Sequence, residues 1–227
     1  MGAMAIPDRV LGDLRTAYMG PVGTDAVKRR LKFDYLKVKN DPLSKDLEIF
    51  TVLLAHFHRP QIIIHDMIHE AAALIQKQLR FRWCMIGLRD PVDMLYRYEV
   101  MAGMRSEAWT MQRAKVYKLA DFDLNAANYR AGEISRLTRV YLEEENVLLK
   151  HDEGVVNRPA LLRAKRKAED EMLEADFVDT LILGPGDDLL GWIEYSGTIA
   201  GKFPDALTIR QIETVSAVLG AAIVLQR

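Results

Sequence analysis

The period of the apolar positions changes repeatedly along this chain, and each change marks the edge of an element. Val10, Leu11, Leu14 and Ala17/Tyr18 recur at helical spacing until Gly20, Pro21 and Gly23 break the pattern. Residues 25–38 (DAVKRRLKFDYLKV) are basic and partly apolar, and Asn40, Asp41 and Pro42 interrupt the chain again. Ser44 to His56 predicts a short helix capped by Ser44, with Leu47, Phe50 and Leu53 on its apolar face. Arg59-Pro60 marks a boundary. Gln61 to Arg80 then predicts a long amphipathic helix, with Ile64, Met67/Ile68, Ala71/Ala72 and Leu74/Ile75 at spacings of three and four. Beyond it the pattern becomes that of strands: 81–89 (FRWCMIGLR), a turn at Asp90-Pro91-Val92-Asp93, 94–104 (MLYRYEVMAGM), and a third strand over 111–119.

The second half alternates between the two periods. Ile134, Leu137, Val140, Tyr141, Leu148 and Leu149 predict a helix over 126–148. The loop HDEGVVNRP follows, then a charged helix, LLRAKRKAEDEMLEA, with Asn157 as cap and Pro159 in its first turn. Phe177 to Leu183 (FVDTLIL) is an apolar run rich in β-formers. The dense turn signal GPGDD comes next, and Leu189 to Tyr195 (LLGWIEY) pairs back as a hairpin. Thr208 opens a closing helix to about Leu225, with Gln211 as its capping-box partner. Together these elements predict an α+β fold: an antiparallel sheet flanked by helices, with an N-terminal helical extension.

The turn GPGDD, the strand GWIEY, the loop GKFPDALT and the small-residue helix SAVLGAAI stand in the order of the C-terminal half of a GAF domain, a small-molecule-sensing module. Residues 60–227 therefore resemble that family, with 1–58 as an extension and 124–176 as an atypical helical insertion. The resemblance implies a small organic ligand held over the sheet beneath this insertion. It further implies no chemistry of its own, a homodimer built on the 61–80 and 208–225 helices, and an output domain that is separate or removed. The ligand itself is left unidentified.

Composition narrows the classes. The formal net charge of −1 gives no global case for nucleic acid or an anionic membrane. No apolar run is long enough to predict a membrane span, and no basic-then-apolar leader opens the chain. The opening MGAMA reads as a cloning scar, and the cytoplasm is the default compartment. The single cysteine, Cys84, allows no internal disulfide and no cysteine-based zinc site. Its place in a central strand makes it a poor bilin anchor, and one thiol cannot run a disulfide-forming reductase cycle.

Four groups of residues are candidates for a site. Met101, Tyr117, Phe122 and Tyr129 would line an apolar pocket over the sheet, although residues of these types equally fill a core. Arg136, Arg139, Glu143, Glu144, Asp152, Glu153, Asn157, Arg158 and Arg163 form a polar cluster in the insertion. An arginine fork there would suit an anionic ligand group, against the plainer reading of a solvated, salt-bridged surface. Its carboxylates Glu143, Asp152 and Glu153 carry the rival expectation of an enzyme, with metal or without. His65 and His69, four apart on a helix, could share a metal, with Asp66 and Glu70 nearby, but no spacing fixes a third ligand. The basic run Lys28, Arg29, Arg30, Lys32 could touch a partner, against a simple solvated face. A third overall reading is a module that only dimerises, with its sheet face fully packed.

Overall fold

The computed structural model describes residues 24–38, 42–122, 132–145 and 150–226. The helix expected over residues 10–18 and the candidate Tyr129 lie outside the described residues. The chain divides into two compact units, Met1–Lys45 and Asp46–Arg227. The described part of the first is helix α1 (Thr24–Val38), which carries the basic run.

The second unit begins inside helix α2 (Pro42–Leu54). Ile49 and Leu53 of α2, assigned from the sequence to the extension, are fully buried in the core of this unit. The frame is a sheet of β1 (Phe81–Arg89), β2 (Tyr96–Ala102), β3 (Thr138–Tyr141), β4 (Phe177–Leu183) and β5 (Leu189–Thr198). Its order is β2-β1-β5-β4-β3, with every neighbouring pair antiparallel. The central strand β5 is buried at every position from Leu189 to Gly197, so both faces of the sheet are covered.

The two covers differ. On one face lie helices α3 (Ile64–Gln78) and α5 (Ala206–Gln226), with α3 against β1 and β2 and α5 against β4 and β5. They bury Met67, Ile68, Ala71 and Ile75 from α3, and Ile212, Val215, Leu219 and Ala222 from α5, against Ile86, Val178, Ile182 and Ile193. Close approach of α5 depends on small residues. The Ser216 hydroxyl donates to the Leu181 carbonyl at 2.5 Å. A Cβ on Gly220 would stand 2.5 Å from the Leu183 carbonyl oxygen. The other face carries an aromatic cluster around Trp83, Tyr96, Tyr98 and Trp192, covered by helix α4 (Ser106–Arg113) and by largely irregular chain over 150–176.

The expected five-stranded antiparallel sheet is present, but its third strand is elsewhere. Residues 106–113 are α4. Ala108 and Gln112 are buried while Thr110, which a strand would place on their side, is exposed. Tyr117 alone joins the sheet edge, through a bridge to Tyr96. The third strand is β3, inside the segment expected to be helical. Its Val140 packs toward the helix-side core and Tyr141 toward the opposite face, as alternate strand residues do. The charged helix expected after Pro159 is likewise corrected. A single 3-10 turn, Pro159–Leu161, gives way to bends and turns. Tertiary partners capture its charges: Arg166 donates to both oxygens of Asp176 at 3.0 Å and to Glu144 at 2.7 Å. Helix α5 also starts two residues earlier than expected, and Asp205 is its cap, accepting from the Thr208 N–H at 2.8 Å. By length and composition α5 is apolar enough to cross a membrane, contrary to expectation, and here it puts its apolar residues into the sheet-side core.

Gly220→Ala should lower stability by about 1–3 kcal/mol through crowding of the Leu183 carbonyl. Helix propensity alone would favour the alanine by about 1 kcal/mol. Thermal denaturation of the variant decides the sign.

Candidate functional site

On the face away from α3 and α5 the cover leaves a cavity of about 250 Å³. Its floor is sheet: Trp83 of β1, Asp179 of β4, and Trp192 and Glu194 of β5. One wall is Tyr98, Tyr117 and Phe122. The facing wall is the stacked pair Tyr141 and Phe177, with ring centroids 4.6 Å apart. Val155, Val156 and Ala175 of the irregular segment close over it, and Lys115 lies at its rim. Trp192 organises the floor. Its ring centroid lies 4.9 Å from that of Tyr98, 5.1 Å from Phe122 and 5.7 Å from Tyr117. The indole can lie flat on β1 because the residue beneath is Gly87, where a Cβ would stand 2.3 Å from the ring.

The register lines up the polar groups. Arg139 of β3 stands opposite Asp179 of β4, Asp179 opposite Glu194 of β5, and Glu194 opposite Met85 of β1. Two neighbouring carboxyl groups therefore share a sheet face, Asp179 only 8% exposed and Glu194 6%. The Tyr98 hydroxyl donates to Glu194 Oε2 at 2.5 Å, and the Trp192 indole N–H also donates to this carboxylate. Tyr117 extends the chain through its hydroxyl contact with Tyr98. Asp179 Oδ1 and Gln112 Oε1, both on the cavity wall, have no hydrogen-bond partner. Burial raises the Glu194 carboxyl to about 6, against the opposing pull of Tyr98, Lys115 and Trp192. Asp179 is pushed well above the usual carboxylate range, first by burial and then by Glu194, with Arg139 opposing. Tyr98 is held protonated by burial and by the charge of Glu194, which keeps it a donor.

Of the residues singled out from the sequence, Tyr117 and Phe122 lie on the cavity wall. Met101 is half-buried and packs against the aromatic cluster without reaching the wall. Arg139 is buried one strand away from the floor, beside Asp179. Among the remaining members whose side chains are described, all but Arg136 bond within the cover. Arg136 is exposed and paired with Asp187. Glu143 accepts from the backbone N–H of Arg163 and of Ala175. Asn157 accepts from the Arg105 N–H at 2.9 Å, and Arg158 pairs with Glu174 at 2.6 Å. Glu153 pairs with Arg163 at 2.8 Å. A second hollow, of about 510 Å³, opens beside Glu143, Glu144 and Arg166, where Glu144 pairs with Arg166 and Glu143 is held by backbone N–H groups. The carboxylates Glu143 and Glu153 thus face structural partners rather than one another. His65 and His69 stand edge to face with centroids 4.6 Å apart, and Glu70 is engaged by the buried His56 at 2.6 Å. Among the described residues no group of three His, Cys, Asp or Glu is placed to hold a metal. Cys84 sits in the helix-side core, where burial keeps its thiol protonated.

The cavity gathers residues that the sequence reading passed over: Trp83, Tyr98, Gln112, Asp179, Trp192 and Glu194. A usable signal was present for two of them. Asp179 and Glu194 each interrupt an otherwise apolar strand, and a carboxylate in a strand buried on both faces needs a reason.

Beneath the acidic row, on the helix side, runs a row of hydroxyls. Thr138 contacts Thr180 at 3.1 Å, and Thr180 contacts the Tyr195 hydroxyl at 3.3 Å. Glu213 of α5 accepts from Thr138 at 2.8 Å and from Ser135. The strands that carry the cavity floor are thereby tied to the closing helix.

No family model matches the sequence, and no curated protein matches it. Solved structures do match in fold. The GAF domain of an Acinetobacter phosphoenolpyruvate-protein phosphotransferase superposes with a TM-score of 0.51 at 12% identity, covering 82% of this chain and 94% of that one. The corresponding domain from Coxiella burnetii gives 0.51 at 16% identity, covering 82% and 94%. The phycocyanobilin-bound GAF domain of a cyanobacterial phytochrome gives 0.53 at 11% identity, covering 80% and 94%. The fold of this chain is GAF-like.

The raised Glu194 carboxyl makes a prediction about pH. The folded state holds this proton up to about pH 6, whereas an unfolded glutamate releases it near 4.5. The stability it contributes is complete below about 4.5 and is lost as pH rises through 6. Glu194→Gln should therefore stabilise the protein at pH 8 by on the order of 2 kcal/mol and leave it nearly unchanged at pH 4. Denaturant melts at the two pH values measure the difference.

Proposed function

We propose that residues 46–227 form a cytoplasmic GAF-like sensor domain. It holds a small organic molecule over Trp192 and Glu194 and reports occupancy through α3 and α5 of a homodimer. The observation that carries this reading is the cavity itself. A packed core would fill the space between the sheet and its cover, whereas here seven aromatic residues surround a partly empty volume with buried carboxyls on its floor. Among the described residues the cover over 150–176 is irregular chain rather than the expected charged helix, and such segments change conformation at low cost. A ligand that favours one arrangement of the cover shifts its population. The hydroxyl row and Glu213 give that shift a route to α5.

The size of the site narrows the ligand. The cavity, at about 250 Å³, is smaller than the roughly 300–1,000 Å³ of sites that hold drug-sized ligands. That is too small for a tetrapyrrole, and Cys84 lies in the core on the other side of the sheet. The ligand differs in kind from the bilin of the phytochrome neighbour.

Native mass spectrometry of protein purified from its own host should show a dimer with a small molecule released on denaturation. Val156→Trp, which fills the cavity from its cover, should yield a folded dimer without that molecule. A monomer by light scattering at ~100 μM, well above usual homodimer dissociation constants, would refute the dimer. Ligand-free protein of unchanged mass in both wild type and variant would refute the sensor reading.

A further inference from the structure

The polar atoms that this cavity leaves without partners point to the chemistry of its ligand. Asp179 Oδ1 and Gln112 Oε1 are buried, lie on its wall and make no hydrogen bond. Both are acceptors. A buried acceptor without a donor carries a desolvation penalty, so a ligand that brings N–H groups is favoured over one that brings further acceptors. The charges agree. Asp179 and Glu194 stand side by side on adjacent strands. Of the other wall carboxylates, Glu174 is already engaged by Arg158 at 2.6 Å, and Asp121 caps its own turn through the Lys118 N–H. Lys115 is the only lysine or arginine on the described wall, and Arg139 flanks Asp179 from the next strand. The arginine fork expected for an anionic ligand is not at the cavity: Arg136 pairs with Asp187, and Arg158 with Glu174.

The rest of the lining is aromatic. Trp192, Tyr117 and Phe122 meet one another at centroid distances of 5.1–6.0 Å, giving a surface of ring faces and edges beside the carboxyl pair. Aromatic faces attract cations through the ring quadrupole, most strongly where water is excluded. The raised protonation of both carboxyls fits a site whose positive partner is brought from outside.

We propose that the cavity selects a small organic cation: a protonated amine, amidine or guanidine on a short apolar body. Its N–H groups donate to Asp179 and Glu194, and its body lies against Trp192, Tyr117 and Phe122. The inference rests on the ligand-holding reading of this cavity and assigns it a charge.

Isothermal titration calorimetry of the full chain in an amine-free buffer tests it with three probes of one shape: phenethylamine, 2-phenylethanol and phenylacetate. Phenethylamine should bind saturably and about tenfold or more tightly than the alcohol, the scale of one charged hydrogen bond. Phenylacetate should bind most weakly. Asp179→Asn should reduce amine affinity about tenfold and leave the alcohol unchanged, and Glu194→Gln should act in the same direction. Both variants replace a buried ionisable carboxyl with a neutral amide of the same shape and should remain folded, which their thermal melts verify. Alcohol or phenylacetate binding as tightly as the amine would overturn the cationic assignment while leaving a ligand site in place. Saturable binding by none of the three would overturn both the assignment and the ligand-holding reading.

Discussion

One sheet with both faces buried sets the terms for the rest of this structure. The central strand β5 has no solvent-facing side, so each face needs a cover. A helix satisfies its own backbone and presents a regular stripe, and α3 and α5 accordingly pack down to the contacts at Ser216 and Gly220. Irregular chain brings unsatisfied backbone N–H and C=O groups, which require side-chain partners. That accounts for Glu143 and Asp176 in the described part of this segment. Glu143 holds two backbone N–H groups, and Asp176 accepts from the N–H of Glu143 and of Leu173. Arg105 donates to the Val156 and Gly154 carbonyls. The cover is held by such specific bonds together with the buried side chains of Val155, Val156, Met172 and Leu173, and the cavity lies beneath it.

The same distinction explains what could be read in the sequence. The hairpin of β4 and β5, the helix-side elements α3 and α5, and strands β1 and β2 follow local rules: apolar period, turn residues, small residues at a close contact. The cover follows no period. Residues 109–119 contain β-formers, yet α4 forms there because Ala108 and Gln112 bury while Thr110 stays outside. Strand β3 is four residues long and is defined by its partner. In LLRAKRKAEDEMLEA the charges recur at helical spacing, but Arg166 is drawn to Asp176 and Glu144, and those long-range bonds replace the helix. Of the polar cluster, Asn157 and Arg158 bond within the cover, while Glu143, Glu144 and Arg163 line the second hollow. The groups on the cavity floor were hidden in strands that read as core.

Asp179 and Glu194 cost stability where they stand. Two carboxyls buried side by side must either hold protons at neutral pH or keep charges that desolvation disfavours, and both are shifted upward. The row is flanked by Met85 on β1 and by the buried Arg139 on β3, which opposes the upward shift of Asp179 only in part. Such a pair beside an open volume, with Tyr98, Tyr117 and Trp192 arranged around it, is what the proposed site would need: stability given up for a poised polar surface.

The geometry also bears on how such a site would speak to the rest of the molecule. Neighbouring residues of a strand point to opposite faces, so β3 shows Arg139 to the acidic row and Thr138 to Glu213, and β4 shows Asp179 to the cavity and Thr180 to the hydroxyl row. A change in charge at Asp179 therefore acts on a strand whose next residue is bonded toward α5. The strand β3 closes one edge of the sheet, with β4 on its inner side and a bridge from Glu133 to Arg139 on its outer side. In the proposed sensor the link from cavity to helix passes through the thickness of one sheet, from the aspartate on one side to the glutamate of α5 on the other.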